Sequence, residues 1–233
     1  MKSKIVPALG GLLAVLALAS ASASAAASAS VVGVRASHTV HEAMPGAASK
    51  GRSHTWALPR GAHLAKPPRP GAGLRGMHSQ IAADSIGCYD HESILSAAND
   101  RWVSAELGYG TYYAMLRARG SAIGPWEQFA LCYDYTSNYW FIDSDANGLG
   151  VSAELSYGTY YAMLRARATV IGPWEQYVLA CTTSGTLIIG SLANNRWVSA
   201  ELGYGTYYAM LRARATAIGP WEQYYTYTGR VGC

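Results

Sequence analysis

The chain has 233 residues, a formal net charge of +4, half of its residues hydrophobic and only 14% charged. That length fits one domain of ordinary size plus extras. Beyond the leader no segment approaches the roughly 20 consecutive apolar residues of a membrane span, and the absence of a C-x-x-C pair among the four cysteines weakens zinc and redox readings.

The leader comes first. "MKSKIVPALGGLLAVLALASASASAAASAS" begins with Lys2 and Lys4, runs through an apolar core from Ile5 to about Leu18, and then offers several A-x-A sites. This predicts a secretory signal peptide over residues 1–27, with cleavage between Ala23 and Ala29. The expected location is secreted and extracellular. Residues 28–81 are rich in Gly, Pro, Ala, His and Arg and show no apolar period, which predicts a disordered basic linker. From Val31 to Ile81 there are seven Lys or Arg against one acid, about +6; from Ala82 to Cys233 there are nine Arg against thirteen acids, about −4. The positive charge therefore belongs to the leader and linker, and no specific nucleic-acid partner is expected of the remainder.

The remainder, residues 82–233, is organised by threes. "VSAELGYGTYYAMLRARATAIGPWEQY" (198–224) recurs with three differences at 103–129 and two at 151–177. An upstream S-x-A-N extends the likeness at Ser96, Ser144 and Ser191, giving repeats of about 86–132, 133–181 and 182–233. Each reads as four short strands, for example "TLIIGS", "RWVSAEL", "AMLRARA" and "PWEQYYTY". Alternation puts Val103 and Ala105 on one face and Trp102, Ser104 and Glu106 on the other; in the next strand Leu116 and Ala118 point in, and Met115, Arg117 and Arg119 point out. One such unit cannot bury its apolar face alone, so three must close on a common core. The expected fold is all-β, a β-trefoil of three four-stranded repeats.

Several motifs carry chemistry on paper. "DSDANGLGVSAE" (143–154) matches a calcium loop, but strand-like flanks and incomplete counterparts in the other repeats favour a hairpin turn, so no metal is expected. The pairs Arg117/Arg119, Arg165/Arg167 and Arg212/Arg214 should face Glu106, Glu154 and Glu201 across strands. Trp126, Trp174 and Trp221, each in "PWEQ", read as packing residues. Five of six histidines lie upstream of the repeats, no nucleophile motif occurs, and carboxylate pairs such as Glu106 with Glu127 recur in every repeat, so neither an enzyme nor a cofactor is expected.

The segment "GYGTYY" stands out, because the chain has 17 Tyr and only 2 Phe. A buried ring needs no hydroxyl; a ring with one edge in water uses it. The ligand-binding candidates are Tyr109, Tyr112 and Tyr113, then Tyr157, Tyr160 and Tyr161, then Tyr204, Tyr207 and Tyr208.

The combined pattern of S-x-A-N, V-S-A-E, L-R-A-R and G-P-W-E-Q-[FY] over residues 86–228 resembles the fascin-like β-trefoil repeats of exported bacterial proteins. That resemblance implies the fold, and a place beside carbohydrate-active proteins. The Q-x-W triplet of ricin-type repeats is absent, so the sugar-binding residues of that group do not transfer. In a trefoil the chain ends meet, which makes Cys88–Cys233 the preferred disulfide and leaves Cys132–Cys181, although three pairings are open. The expected function is a secreted, non-catalytic module that binds a polysaccharide or glycan through three equal loops. The alternative is a protein-interaction module, an inhibitor or scaffold, with no sugar recognition.

Overall fold

The computed structural model describes residues 35–37, 55–73, 85–156, 158–203 and 205–233. The signal peptide expected at 1–27 lies outside the described residues. The strands are β1 (Arg35–Ser37), β2 (Thr55–Ala57), β3 (His63–Leu64), β4 (Ile86–Glu92), β5 (Ile94–Ser96), β6 (Arg101–Glu106), β7 (Met115–Gly120) and β8 (Phe129–Asp134). They continue with β9 (Tyr139–Ser144), β10 (Gly150–Glu154), β11 (Met163–Ala168), β12 (Tyr177–Cys181), β13 (Leu187–Ser191), β14 (Arg196–Glu201), β15 (Met210–Ala215) and β16 (Tyr224–Thr226). Among the described residues no helix is long and apolar enough to cross a membrane.

The repeat becomes geometry through its fourth strand. Within each repeat the fourth strand pairs with the first, at Glu92↔Phe129, Trp140↔Tyr177 and Leu187↔Tyr224. It also pairs with the first strand of the next repeat, at Phe129↔Ser144, Tyr177↔Ser191 and Tyr224↔Ser96. The last of these joins β16 to β5 and closes the ring, which removes the sheet edges an open arrangement would expose. The second and third strands form hairpins β6–β7, β10–β11 and β14–β15, each with a register shift near its start. Three further pairings, Met115↔Arg165, Met163↔Arg212 and Met210↔Arg117, join the hairpins into a triangular cap.

Equivalent residues fill the interior. Val103, Val151 and Val198, with Leu116, Leu164, Leu211 and the small Ala105, Ala153 and Ala200, are buried in one cluster with Phe129, Tyr177 and Tyr224. The two tyrosines keep hydroxyls inside because each has an acceptor: Tyr177 donates to the Val151 carbonyl at 3.0 Å and Tyr224 to that of Val198 at 3.3 Å. At the hairpin entry Ala114, Ala162 and Ala209 hold φ of +59°, +59° and +60°. Their N–H groups donate to Glu106, Glu154 and Glu201, and their carbonyls accept from Ala166, Ala213 and Ala118, so the conformation is pinned from both sides.

Two expectations fail. First, the disorder predicted over 28–81 does not hold for residues 55–73, which form a strap along the outside of the barrel. Trp56 and Leu58 bury against an outer-wall cluster with Ile86, Tyr139, Phe141 and Trp197. The strap is also tied by its backbone: β3 adds to β12, Lys66 donates to the Val231 carbonyl, and Ala72 accepts from Cys88 at 2.8 Å. Its apolar residues are irregularly spaced among prolines and glycines and its second strand has two residues, so no period betrays it. Second, the disulfides are Cys88–Cys132 and Cys181–Cys233, not Cys88–Cys233 and Cys132–Cys181. Cys88 and Cys132 stand directly opposite on paired β4 and β8, while β9 lies between the strands carrying Cys132 and Cys181. Each bridge closes within a short stretch, 44 and 52 residues apart in sequence, rather than spanning the ends of the barrel.

Candidate functional site

The "GYGTYY" loops leave β6, β10 and β14 and each makes one 3-10 turn, Gly110–Tyr112, Gly158–Tyr160 and Gly205–Tyr207. Their tyrosines separate into groups. Tyr112, Tyr160 and Tyr207 meet at the pseudo-threefold axis with ring centroids 4.9–5.1 Å apart, all edge-to-face. Beneath them lie Met115, Met163 and Met210, fully buried. Burial, followed by the hydrogen bond to Tyr207 and the nearby Tyr112, pushes the Tyr160 hydroxyl up to about 12. This trio plugs the cap. Edge-to-face pairs of this kind contribute roughly 0.5–1.5 kcal/mol each beyond their area. Tyr109 packs by the same cluster, edge-on to Tyr207 at 6.4 Å and under the guanidinium groups of Arg117 and Arg119. Tyr157 and Tyr204 lie outside the described residues.

The last tyrosine of each loop does face solvent. Tyr113, Tyr161 and Tyr208 are 39–41% exposed. Each is held by the neighbouring repeat. Arg165 donates through Nε to the Tyr113 carbonyl, Arg212 to that of Tyr161 and Arg117 to that of Tyr208, all at 2.9 Å. Asn147 Nδ2 reaches the Tyr113 hydroxyl at 3.5 Å, and Asn99 reaches that of Tyr208 at 3.4 Å. Each hairpin thus carries an exposed tyrosine supplied by a different repeat.

The arginines form the expected pairs, with one correction. Arg117, Arg165 and Arg212 do not point to solvent but are buried between repeats, as are Met115, Met163 and Met210. The neighbouring loop covers the hairpin face that alternation assigned to water. Glu106, Glu154 and Glu201, also buried, each take two arginines: the buried one at 3.4–3.5 Å and the half-exposed Arg119, Arg167 or Arg214 in a short contact through Nε.

The residues that sequence reasoning assigned to packing are the ones the fold presents. Trp126, Trp174 and Trp221 sit on 3-10 turns and are 43%, 37% and 44% exposed. The turn glutamate caps each turn from below, with Gly124, Gly172 and Gly219 donating N–H to Glu127, Glu175 and Glu222 at 2.7–2.9 Å. Between the Trp126 turn and hairpin β6–β7 opens a groove of about 460 Å³, lined by Ser104, Glu106, Arg119, Trp126, Glu127 and residues 120–124. Its lining holds one large aromatic side chain and the Glu106–Arg119 carboxylate–guanidinium pair. Such a groove offers stacking beside fixed hydrogen-bond donors and acceptors. Its two carboxylates are already committed, Glu106 to arginines and Glu127 to a backbone N–H. The signal available in the sequence was the turn itself: a Trp straight after Gly-Pro lies outside any strand alternation.

The calcium-like loop joins β9 to β10, so its flanks are strands. Asn147 donates to the Ala166 carbonyl and accepts from the Leu149 N–H, the work of a turn residue. Among the described residues no group of three His, Cys, Asp or Glu is placed to hold a metal ion.

No family model matches the sequence, and no curated protein matches it. Solved structures do match in fold. The designed 3-fold symmetric protein ThreeFoil aligns over 58% of this chain and 96% of its own, with a TM-score of 0.50 and 13% identity. A mosquitocidal holotoxin aligns over 59% of this chain with a TM-score of 0.52 and 11% identity, and the chain spans only 17% of that toxin's length. A BEL β-trefoil aligns over 64% of this chain and 96% of its own, at 9% identity and a TM-score of 0.48. At these identities the likeness concerns the fold alone: the barrel closed by β16 and β5, with its cap of three hairpins, has the threefold architecture of a β-trefoil.

Proposed function

We propose that this protein is an exported, non-catalytic β-trefoil module that binds a polysaccharide at three equivalent sites on the Trp126, Trp174 and Trp221 turns, akin in role to fascin-like repeats that accompany carbohydrate-active proteins. The observation that carries the reading is the threefold exposure of Trp126, Trp174 and Trp221, each on the turn that follows a hairpin bearing a Glu–Arg pair. An indole face stacks on the C–H face of a sugar ring, while the paired carboxylate and guanidinium meet its hydroxyls. Tyr113, Tyr161 and Tyr208 add an exposed ring to each neighbouring hairpin, and the tyrosines of the central plug hold the arrangement rigid. Three weak sites on one body gain avidity on a repeating polymer without any new contact. Two disulfides accord with an oxidising, extracellular setting.

The test is retention of the full chain on a panel of insoluble polysaccharides, beside a triple variant Trp126→Ala, Trp174→Ala and Trp221→Ala with folding checked by circular dichroism. These side chains are exposed enough for the fold to survive. A large fall in retention of a folded triple variant supports the reading, with single variants each causing a smaller fall. A wild-type chain that binds no polysaccharide overturns it. The protein-partner reading then takes over, with the divergent stretch 133–150 as the segment to scan.

A further inference from the structure

The three repeats also place equivalent rows of residues on the outer wall of the barrel. One row runs across Ala130, Asp143 and Gly150. The second runs across Val178, Gly190 and Trp197. The third runs across Tyr225, Leu95 and Trp102. Their fates differ. In the second row Gly190 leaves a notch into which the strap inserts Trp56; a Cβ on Gly190 would fall 2.2 Å from that ring. Trp56 meets Trp197 edge-on, with centroids 4.9 Å apart. In the third row Leu95 fills the notch, and the chain covers Trp102 with its own Tyr227, edge-on at 6.0 Å. The outcome is a ridge: Tyr225 is 47% exposed and Tyr227 68%, with Trp102 half-buried behind them. The corresponding residues of the other repeats, Ala130 with Cys132 and Val178 with Ala180, are buried.

We infer that this ridge of Tyr225, Tyr227 and Trp102 is a further carbohydrate-binding surface, asymmetric among the repeats, which meets the edge of the Trp126 groove where Trp102 pairs with the groove-lining Gly120. The ridge adjoins the strap-covered wall, since β13 pairs with both β12 and β16. A peptide is disfavoured there for two reasons. The notch that receives an anchoring aromatic in the second row is closed by Leu95. Strand addition also has little to build on, because β16 is three residues long, pairs along its whole length with β5 and meets β13 at Tyr224. What remains is a raised aromatic surface whose hydroxyls reach water and whose row carries no charged side chain. It suits a ligand with a flat C–H face and a hydroxyl rim, the two faces of a neutral pyranose chain.

This inference rests on the polysaccharide reading above, and the experiment separates the two. The full chain is tested on the same insoluble polysaccharides beside four variants: Tyr225→Ala with Tyr227→Ala, the triple tryptophan variant, these two combined, and Tyr225→Phe with Tyr227→Phe. Both tyrosines lie on the surface, so circular dichroism should match wild type. The expected result is a retention constant lowered roughly tenfold or more by the alanine pair, for two lost stacking rings, and largely kept by the phenylalanine pair. The triple tryptophan variant should keep residual binding that the added alanine pair abolishes. Wild-type retention by the alanine pair overturns the ridge and leaves the tryptophan sites standing. No retention by wild type on any polymer overturns both.

Discussion

Truncating Trp56 tests whether the strap is part of the fold. The ring is buried against Trp197 and Val178, and it occupies the space that Gly190 leaves open. Removing a buried Trp side chain costs about 3–5 kcal/mol where the structure cannot collapse into the gap. The closed ring of six barrel strands does not depend on the strap, so the loss cannot exceed what strap docking contributes, and Trp56→Ala should fall toward the lower end. Gly190→Ala attacks the same contact from the other side. Its Cβ would lie 2.2 Å from Trp56 Cζ2 and 2.8 Å from Val178 Cγ1, so most of the clash is with the indole. Overpacking of this kind costs about 1–3 kcal/mol. With the indole gone most of that clash disappears, so the double variant should cost little more than Trp56→Ala alone, a coupling of roughly 1–3 kcal/mol. Urea unfolding of the full, disulfide-intact chain gives the cycle, and hydrogen exchange should show residues 56–66 losing protection in both single variants. Additive costs, or unchanged exchange in the strap, would refute the reasoning.

Glu154→Ala should destabilise by about 3–5 kcal/mol, because it strands the buried Arg165, whereas Arg167→Ala should cost about 1 kcal/mol or less, since that guanidinium is half-exposed. Thermal unfolding of the two variants checks the contrast, and equal losses would contradict the assigned burial. Non-reducing peptide mapping should recover Cys88 with Cys132 and Cys181 with Cys233. Removing either bridge by paired Cys→Ala should cost roughly 4 kcal/mol in the chain-entropy model, read by urea unfolding. Alkaline titration followed at 295 nm should show two tyrosine populations. Burial raises Tyr177 and Tyr224 well above the usual value and the plug raises Tyr160 to about 12, whereas an unfolded tyrosine ionises near 10. Because these folded values lie above the unfolded one, their contribution is fully present below about pH 10 and is lost as pH rises toward the folded values. A chain that stays folded while every tyrosine ionises near 10 would count against this packing.

Much of the fold was legible in one dimension. The 48- and 47-residue spacing, strand alternation and turn residues determine twelve strands in three units, and a unit that cannot bury its apolar face alone requires closure on a common core. Local pairing was legible too: Arg117 and Arg119 do meet Glu106 across their hairpin. The candidate site was only half legible. Alternation assigns a side chain to one face of its own strand, but it cannot tell whether another repeat covers that face. So Arg117 and Met115 point outward from their hairpin and are nevertheless buried, and the six identical-looking tyrosines of "GTYY" divide into a central plug and an exposed rim. Trp126 shows the converse, a large apolar residue left in view because it sits on a 3-10 turn outside any strand, where alternation has no say. The cysteine partners and the strap depend on which strands lie side by side after closure. Cys88 faces Cys132 because β4 pairs with β8, and Trp56 has a place only because Gly190 on β13 lacks a side chain. The sequence by itself determined the repeating unit and its closure, since both follow from local periodicity and from apolar surface that must be hidden. Only the tertiary structure decided what each outward face meets, because that depends on neighbours brought together from distant parts of the chain.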